Sequence, residues 1–312
     1  MYDVITVGSA LSDIFVDTGL KTMRKGERKL IAYPVGYKIA VKEIKFSIGG
    51  GGTNTAVGFA RMGLKTAFLG KIGNDQTSEE ILKLLKKEKI DFIGKQEKSV
   101  SGHSIILDSF EHNRTILTYK GPSDNLKVGE VRLNKLKTKW IYLASSMKQT
   151  LATQQKLATY AKKHKIKVAF NPSEYEVKLG MAKLKPILTK TNLLIFNRQE
   201  AEILTKKKTI PTIFKALNSL GITTICITDR EKEINAYHEG KTYKIMPKKM
   251  KPVEMTGAGD SFACGFLSAW IKTRDINFAL KVALTNSQSV ISHYGAKNKL
   301  LTWNEIKKKV KK

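Results

Sequence analysis

Apolar residues recur along this chain with two alternating periods. Short β-rich runs at 2–8, 66–70, 140–144, 168–171, 193–197 and 224–228 predict strands. Between them 79–89, 150–163 and 211–220 carry apolar positions at helical spacing, and the chain after 260 reads as largely helical. Strands that alternate with helices predict an α/β fold with a parallel sheet covered on both faces. Residues 14–48 break the alternation. There 13–17, 29–32 and 38–46 read as short strands with no helix between them, and 101–119 supplies more of the same kind. Together they predict a small β lid built from two separated segments, about 14–48 and 99–120, within one domain spanning 1–312.

Two glycine-rich stretches carry the candidate chemistry. In the stretch from Glu254 to Ser268, Gly257 and Gly259 allow a tight turn and close approach of the backbone to a ligand, and small apolar residues from Ser261 onward place a helix start near Asp260. The unpaired N–H groups of that first turn favour an anion. A carboxylate in the same turn, Asp260, can take a proton from an attacking hydroxyl beside bound phosphate. In the stretch from Ser47 to Gly63, four glycines at 49–52 run into a helix, and the Asn54 amide can donate to and accept from hydroxyls. Asp13 follows the first strand, where open α/β sheets place their ligands. Gly73, Asn74 and Asp75 read as a helix cap. Neither a dinucleotide fingerprint nor a Walker A sequence is present.

Charge changes the picture of partners. Lys+Arg number 56 against 27 Asp+Glu, a net +29 that favours anionic ligands. The lysines are spread along the whole chain without interleaved aromatics, which argues for a generally basic surface over dedicated nucleic-acid binding. Cys226 and Cys264 stand alone in apolar segments, which predicts buried thiols in a reducing cytosol and no zinc site. The chain begins directly with a strand-like run, and no apolar stretch reaches bilayer length, so a cytoplasmic protein without a membrane partner is expected.

The motifs taken in order resemble the PfkB family of carbohydrate kinases. They are Gly-Gly-x-Gly-x-Asn at 49–54, Gly-x-Asp at 73–75, Asn-Pro at 171–172, Asn-x-x-Glu at 197–200, Thr-Gly-Ala-Gly-Asp at 256–260 and Gly-Ala at 295–296. The resemblance implies a ribokinase-like three-layer α/β/α sandwich with a small β-sheet lid, and an ATP- and Mg2+-dependent kinase acting on a hydroxymethyl group of a small sugar or sugar acid. It implies that Asp260 is the catalytic base and that Thr256, Gly257, Ala258 and Gly259 form the anion hole. It places Asp13, Gly50, Gly51, Asn54 and the lid Arg114 on the acceptor, and Asn197 and Thr228 at the nucleotide. Glu200 would organise Mg2+ through water, Glu254 would serve a monovalent cation such as K+, and the lids would pair two subunits into a homodimer.

Several positions depart from the family pattern. Glu254 replaces an Asp, Lys299 stands where a small polar residue is usual, and Arg230 stands where a glycine often follows Thr228. If the Lys299 ammonium replaced potassium, activity would not depend on that ion. A nucleoside kinase of the same fold, with Phe15, Tyr33 and Tyr37 clamping a base, is the alternative acceptor reading. A basic nucleotide- or nucleic-acid-binding protein without catalysis is the second alternative.

Overall fold

The computed structural model describes residues 1–110 and 114–310, so Glu111, His112 and Asn113, just before the lid Arg114, and Lys311 and Lys312 lie outside the described residues. A nine-stranded sheet runs, from one edge, Lys241–Ile245, Ile234–His238, Thr224–Thr228, Leu193–Asn197, Lys167–Asn171, Thr138–Ala144, Tyr2–Val7, Thr66–Leu69 and Asp91–Phe92. Every neighbouring pair is parallel except the last two at the Lys241–Ile245 edge. Those edge strands were not expected, because their many polar residues hide the alternation along a half-exposed hairpin.

Successive residues of each central strand feed opposite cores, so the sheet forms the middle of three layers. Val4, Tyr142, Ala169 and Ile195 pack with the helices Ala258–Thr273 and Ile276–Ile291 on one face. Ile5, Leu143, Phe170 and Phe196 pack on the other, against the helices Lys148–Lys163, Gly180–Leu188 and Ile210–Asn218. Each of these eight residues is essentially withdrawn from water, which stabilises the fold by roughly 2 kcal/mol per large side chain.

A second sheet of four strands, in the order Arg114–Tyr119, Gly102–Asp108, Leu11–Asp17 and Glu43–Gly49, is assembled from two distant parts of the chain. Within the first part, Met23–Lys25 and Arg28–Leu30 form a separate hairpin. The strand expected over 38–46 is shifted to Glu43–Gly49, since only from Glu43 does a partner run opposite it, Asp17 pairing with Glu43 and Leu11 with Gly49. Among the described residues no helix is long and apolar enough to cross a membrane.

Candidate active site

Two helix N-termini converge at the carboxyl ends of the central strands. The helix Gly51–Arg61 begins behind Gly50, whose φ of 94° and close approach to the Ser9 carbonyl, 2.5 Å from where a Cβ would stand, both require glycine. The helix Ala258–Thr273 begins behind Gly257 at φ 80°, where a Cβ would lie 2.5 Å from that of Ala296. That contact joins the Thr-Gly-Ala-Gly-Asp stretch to Gly295 and Ala296. Over Gly259 there is open space, so the helix end is accessible to a ligand.

Asp260 sits in the first turn of the second helix and is partly exposed. Asn54, buried in the first helix, donates from Nδ2 to Asp260 Oδ2 at 2.8 Å. Gly51 lies alongside, the place of its missing Cβ being 3.6 Å from Asp260 Oδ1. Burial pushes the Asp260 carboxyl up to about 6, held back by the Asn54 hydrogen bond and the Lys297 charge. Asp13 is buried on the second sheet, close against Gly49, and burial raises it to about 6 as well, with Lys297 opposing and Asp260 adding to the shift.

Lys297 is a residue of the candidate site that the sequence did not single out. The ammonium group is buried, donates to the Ile48 carbonyl and to Asn54 Oδ1, and stands within Coulomb reach of both Asp13 and Asp260. Burial pulls it down to about 8, against those two carboxylates. Its backbone is held by Arg61, which donates to the Lys297 carbonyl at 2.8 Å and pairs with Glu88 at 2.6 Å. Lys299, two residues on, is exposed and does not enter the site. In a chain so rich in lysine, only its place directly after Gly295 and Ala296 could have singled out Lys297.

A cleft of about 1220 Å3 extends from this centre. Asn197, Thr228, Ala258 and Gly259 line one side, and Phe15 and Arg114 of the small sheet line the other. Arg114 bonds Thr256 Oγ1 at 2.9 Å and pairs with Glu254. Glu254 in turn accepts from the Thr256 amide at 2.8 Å and its hydroxyl at 2.7 Å, so this carboxylate bridges the small sheet and the loop before the helix Ala258–Thr273. Glu200 lies behind the cleft in a capping box, accepting from the Asn197 amide at 2.8 Å while Asn197 Oδ1 accepts from the Glu200 amide at 2.9 Å. Burial, with Glu174 adding to it, raises Glu200 to about 7. Among the described residues no three His, Cys, Asp or Glu side chains converge on a metal position. Arg230, where the resemblance leads one to expect glycine, keeps a left-handed backbone at φ 48°. The loop shape persists there at a cost of roughly 1 kcal/mol.

Residues 24–303 match the pfkB family carbohydrate kinase. The chain belongs to that family. Among its relatives are an uncharacterized sugar kinase of Archaeoglobus fulgidus, 26% identical over 78% of this chain and 98% of that protein, and a 5-dehydro-2-deoxygluconokinase of Clostridium perfringens, 27% identical over 85% and 84%. The crystal structure of a Thermotoga maritima ribokinase superposes with a TM-score of 0.83 over 99% of both chains at 20% identity. This PfkB protein is therefore an ATP-dependent carbohydrate kinase with the ribokinase fold. Of the aromatic residues considered for a nucleoside clamp, Phe15 lines the cleft, whereas Tyr33 and Tyr37 are 40% and 76% exposed.

Proposed function

We propose that this PfkB kinase transfers the γ-phosphoryl group of ATP to a hydroxymethyl group of a small sugar or sugar acid, with Asp260 as the base. The observation that carries this reading is the division of labour on the Asp260 carboxylate. Oδ2 is occupied by Asn54, while Oδ1 lies beside Gly51 at the open helix end. The acceptor hydroxyl gives its proton to Asp260, its oxygen bonds to the γ-phosphorus, and the bond to the β-phosphate oxygen breaks to release ADP. Charge developing on the transferring group is met by the N–H groups of the first turn, over the bare Gly259. Asp13, Gly50, Gly51 and Asn54 hold the acceptor hydroxyls, and Arg114 borders them. Asn197, Thr228 and Thr256 lie on the nucleotide side.

The residues present suit Mg2+. Glu200 is a half-buried carboxylate without an ion-pair partner among the described residues, raised to about 7 by burial and by the neighbouring Glu174. A divalent ion held there through water, with Asn197 beside it, would supply charge neutralisation to the triphosphate. Glu254 is the candidate for a monovalent cation such as K+, which would have to share this carboxylate with Arg114. The four-stranded sheet serves as a lid over the acceptor and excludes water, with 1–312 as one kinase domain working in the cytoplasm. Its outer face supports pairing with a second copy.

The test is ADP formation from ATP and Mg2+ across neutral sugars, sugar acids, sugar phosphates and nucleosides. Asp260→Asn removes the base without removing the Asn54 contact, so turnover should fall by roughly three powers of ten with ATP binding kept. Near-normal turnover in that variant would take Asp260 out of the mechanism.

A further inference from the structure

We infer that the acceptor site continues into a second cavity, where Lys120 and Lys148 bind the anionic end of a polyol acceptor; this rests on the kinase reading above. The cavity holds about 600 Å3, within the range of small-molecule sites, and Thr118, Asn125 and Met147 are among the other residues that line it.

Two routes place it next to the reacting carboxylates. Across the small sheet, Asp13 pairs with Ser104 and Ser104 with Thr118, so the three side chains share one face. Ser104 Oγ and Thr118 Oγ1 are hydrogen-bonded at 3.2 Å, and two strand spacings put Thr118 about 10 Å from Asp13. Along the central sheet, Ala144 Cβ is 3.3 Å from where Gly51 would carry a Cβ, and the chain runs from Ala144 straight to Met147 and Lys148 on the cavity wall.

The two lysines on the cavity wall lack ion-pair partners among the described residues, and Asp124 beside them takes the Met147 amide. Asp124 is 7% exposed, and its Oδ1 has no hydrogen-bond partner. Burial raises its carboxyl, and both Lys120 and Lys148 are near enough to oppose the shift. Neither lysine has a carboxylate within ion-pair distance among the described residues. Glu97, the other acid on the wall, is committed to Lys71 at 2.5 Å. Two ammonium groups without an ion-pair partner on one cavity wall suit one ligand chemistry. A carboxylate or phosphate bridges Lys120 and Lys148, whose two charges exceed the single one that Asp124 sets beside them. The hydroxymethyl group at the opposite end then reaches Asp260.

The experiment compares kcat and KM for D-gluconate, 2-dehydro-3-deoxy-D-gluconate and D-fructose 6-phosphate with those for D-glucose, D-fructose and D-ribose, in the full-length protein and in Lys120→Met and Lys148→Met. Both lysines lie outside the cores, so the variants should fold. Anionic acceptors should give the highest kcat/KM, and the acids against the phosphate ester distinguish the two kinds of anion. Each variant should raise KM for the preferred anion by about ten-fold, with neutral sugars unchanged. Better turnover of neutral sugars, or equal losses on both classes, overturns the subsite and leaves the kinase standing. If no acceptor yields ADP, the kinase reading falls, and calorimetric binding of D-gluconate decides the subsite. Binding weakened by both substitutions supports it, and no binding, or binding the substitutions leave unchanged, overturns it.

Discussion

Lys297 donates to Asn54 Oδ1, and that contact decides how Asn54 meets Asp260. With the carbonyl oxygen of the amide taken by an ammonium, only the NH2 end can face the carboxylate. One lysine thus orients the amide and offsets two acids, Asp13 and Asp260. Its charge also holds the Asp260 carboxyl below where burial alone would put it. Asp260 works as a base only when ionised, so activity should fall as pH drops through about 6, and loss of the Lys297 ammonium above about 8 should bring a second decline. In Lys297→Met the Asp260 carboxyl rises further, so the acid limb should move to higher pH and kcat/KM at neutral pH should fall about ten-fold. A pH–rate profile checks this, and an unmoved acid limb would reduce Lys297 to a packing role.

At the level of elements, the two glycine-rich motifs act together because their helices touch. The Gly51–Arg61 and Ala258–Thr273 helices meet where Gly58 faces Cys264, a Cβ at Gly58 falling 2.5 Å from the thiol sulfur. The Cys264 thiol donates to the Thr55 carbonyl at 3.4 Å, so the cysteine is a buried packing residue. This close contact sets the N-termini side by side and brings Asn54 to Asp260. Asp75 plays a similar joining role elsewhere. It caps the helix Gln76–Lys87 through the Ser78 amide at 2.9 Å, and it also takes the Ser101 amide at 2.7 Å and hydroxyl at 2.6 Å, anchoring the start of the strand Gly102–Asp108. Asp75→Ala removes a cap and strands the Ser101 amide, which should cost roughly 3 kcal/mol. Urea unfolding measures it, and a loss below about 1 kcal/mol would mean that water replaces all three bonds.

On the scale of the molecule, the small sheet has two unlike faces. Asp13 and Ser104 are buried in one row, which the exposed Thr118 continues at the sheet edge. One residue along, Phe46, Ile14, Ile105 and Leu117 form a row on the other side, with Phe46 67% and Leu117 54% exposed. An apolar sheet face of this kind is commonly covered by a partner. A second copy is the proposed cover, despite the repulsion between two chains of +29. Light scattering at moderate salt should give a dimer, and Phe46→Glu with Leu117→Glu should give a folded monomer. A wild-type monomer at micromolar concentration would count against pairing through this face.

The alternation of strands and helices, the two glycine motifs, Asp260, Asn54 and Asp13 were all legible in the sequence, because period and local backbone demands are written in neighbouring residues. The polar edge strands Ile234–His238 and Lys241–Ile245 were not, since their pairing depends on the sheet they join. Nor was Lys297, one lysine among many until the fold buries it between two acids. The same holds for the cavity at Asp124. Its walls come from four chain regions, at 97–99, 118–125, 147–148 and 175, which only the fold brings together. Local chemistry follows from adjacent residues, whereas burial, charge compensation and cavities depend on long-range contacts, which only the tertiary structure decides.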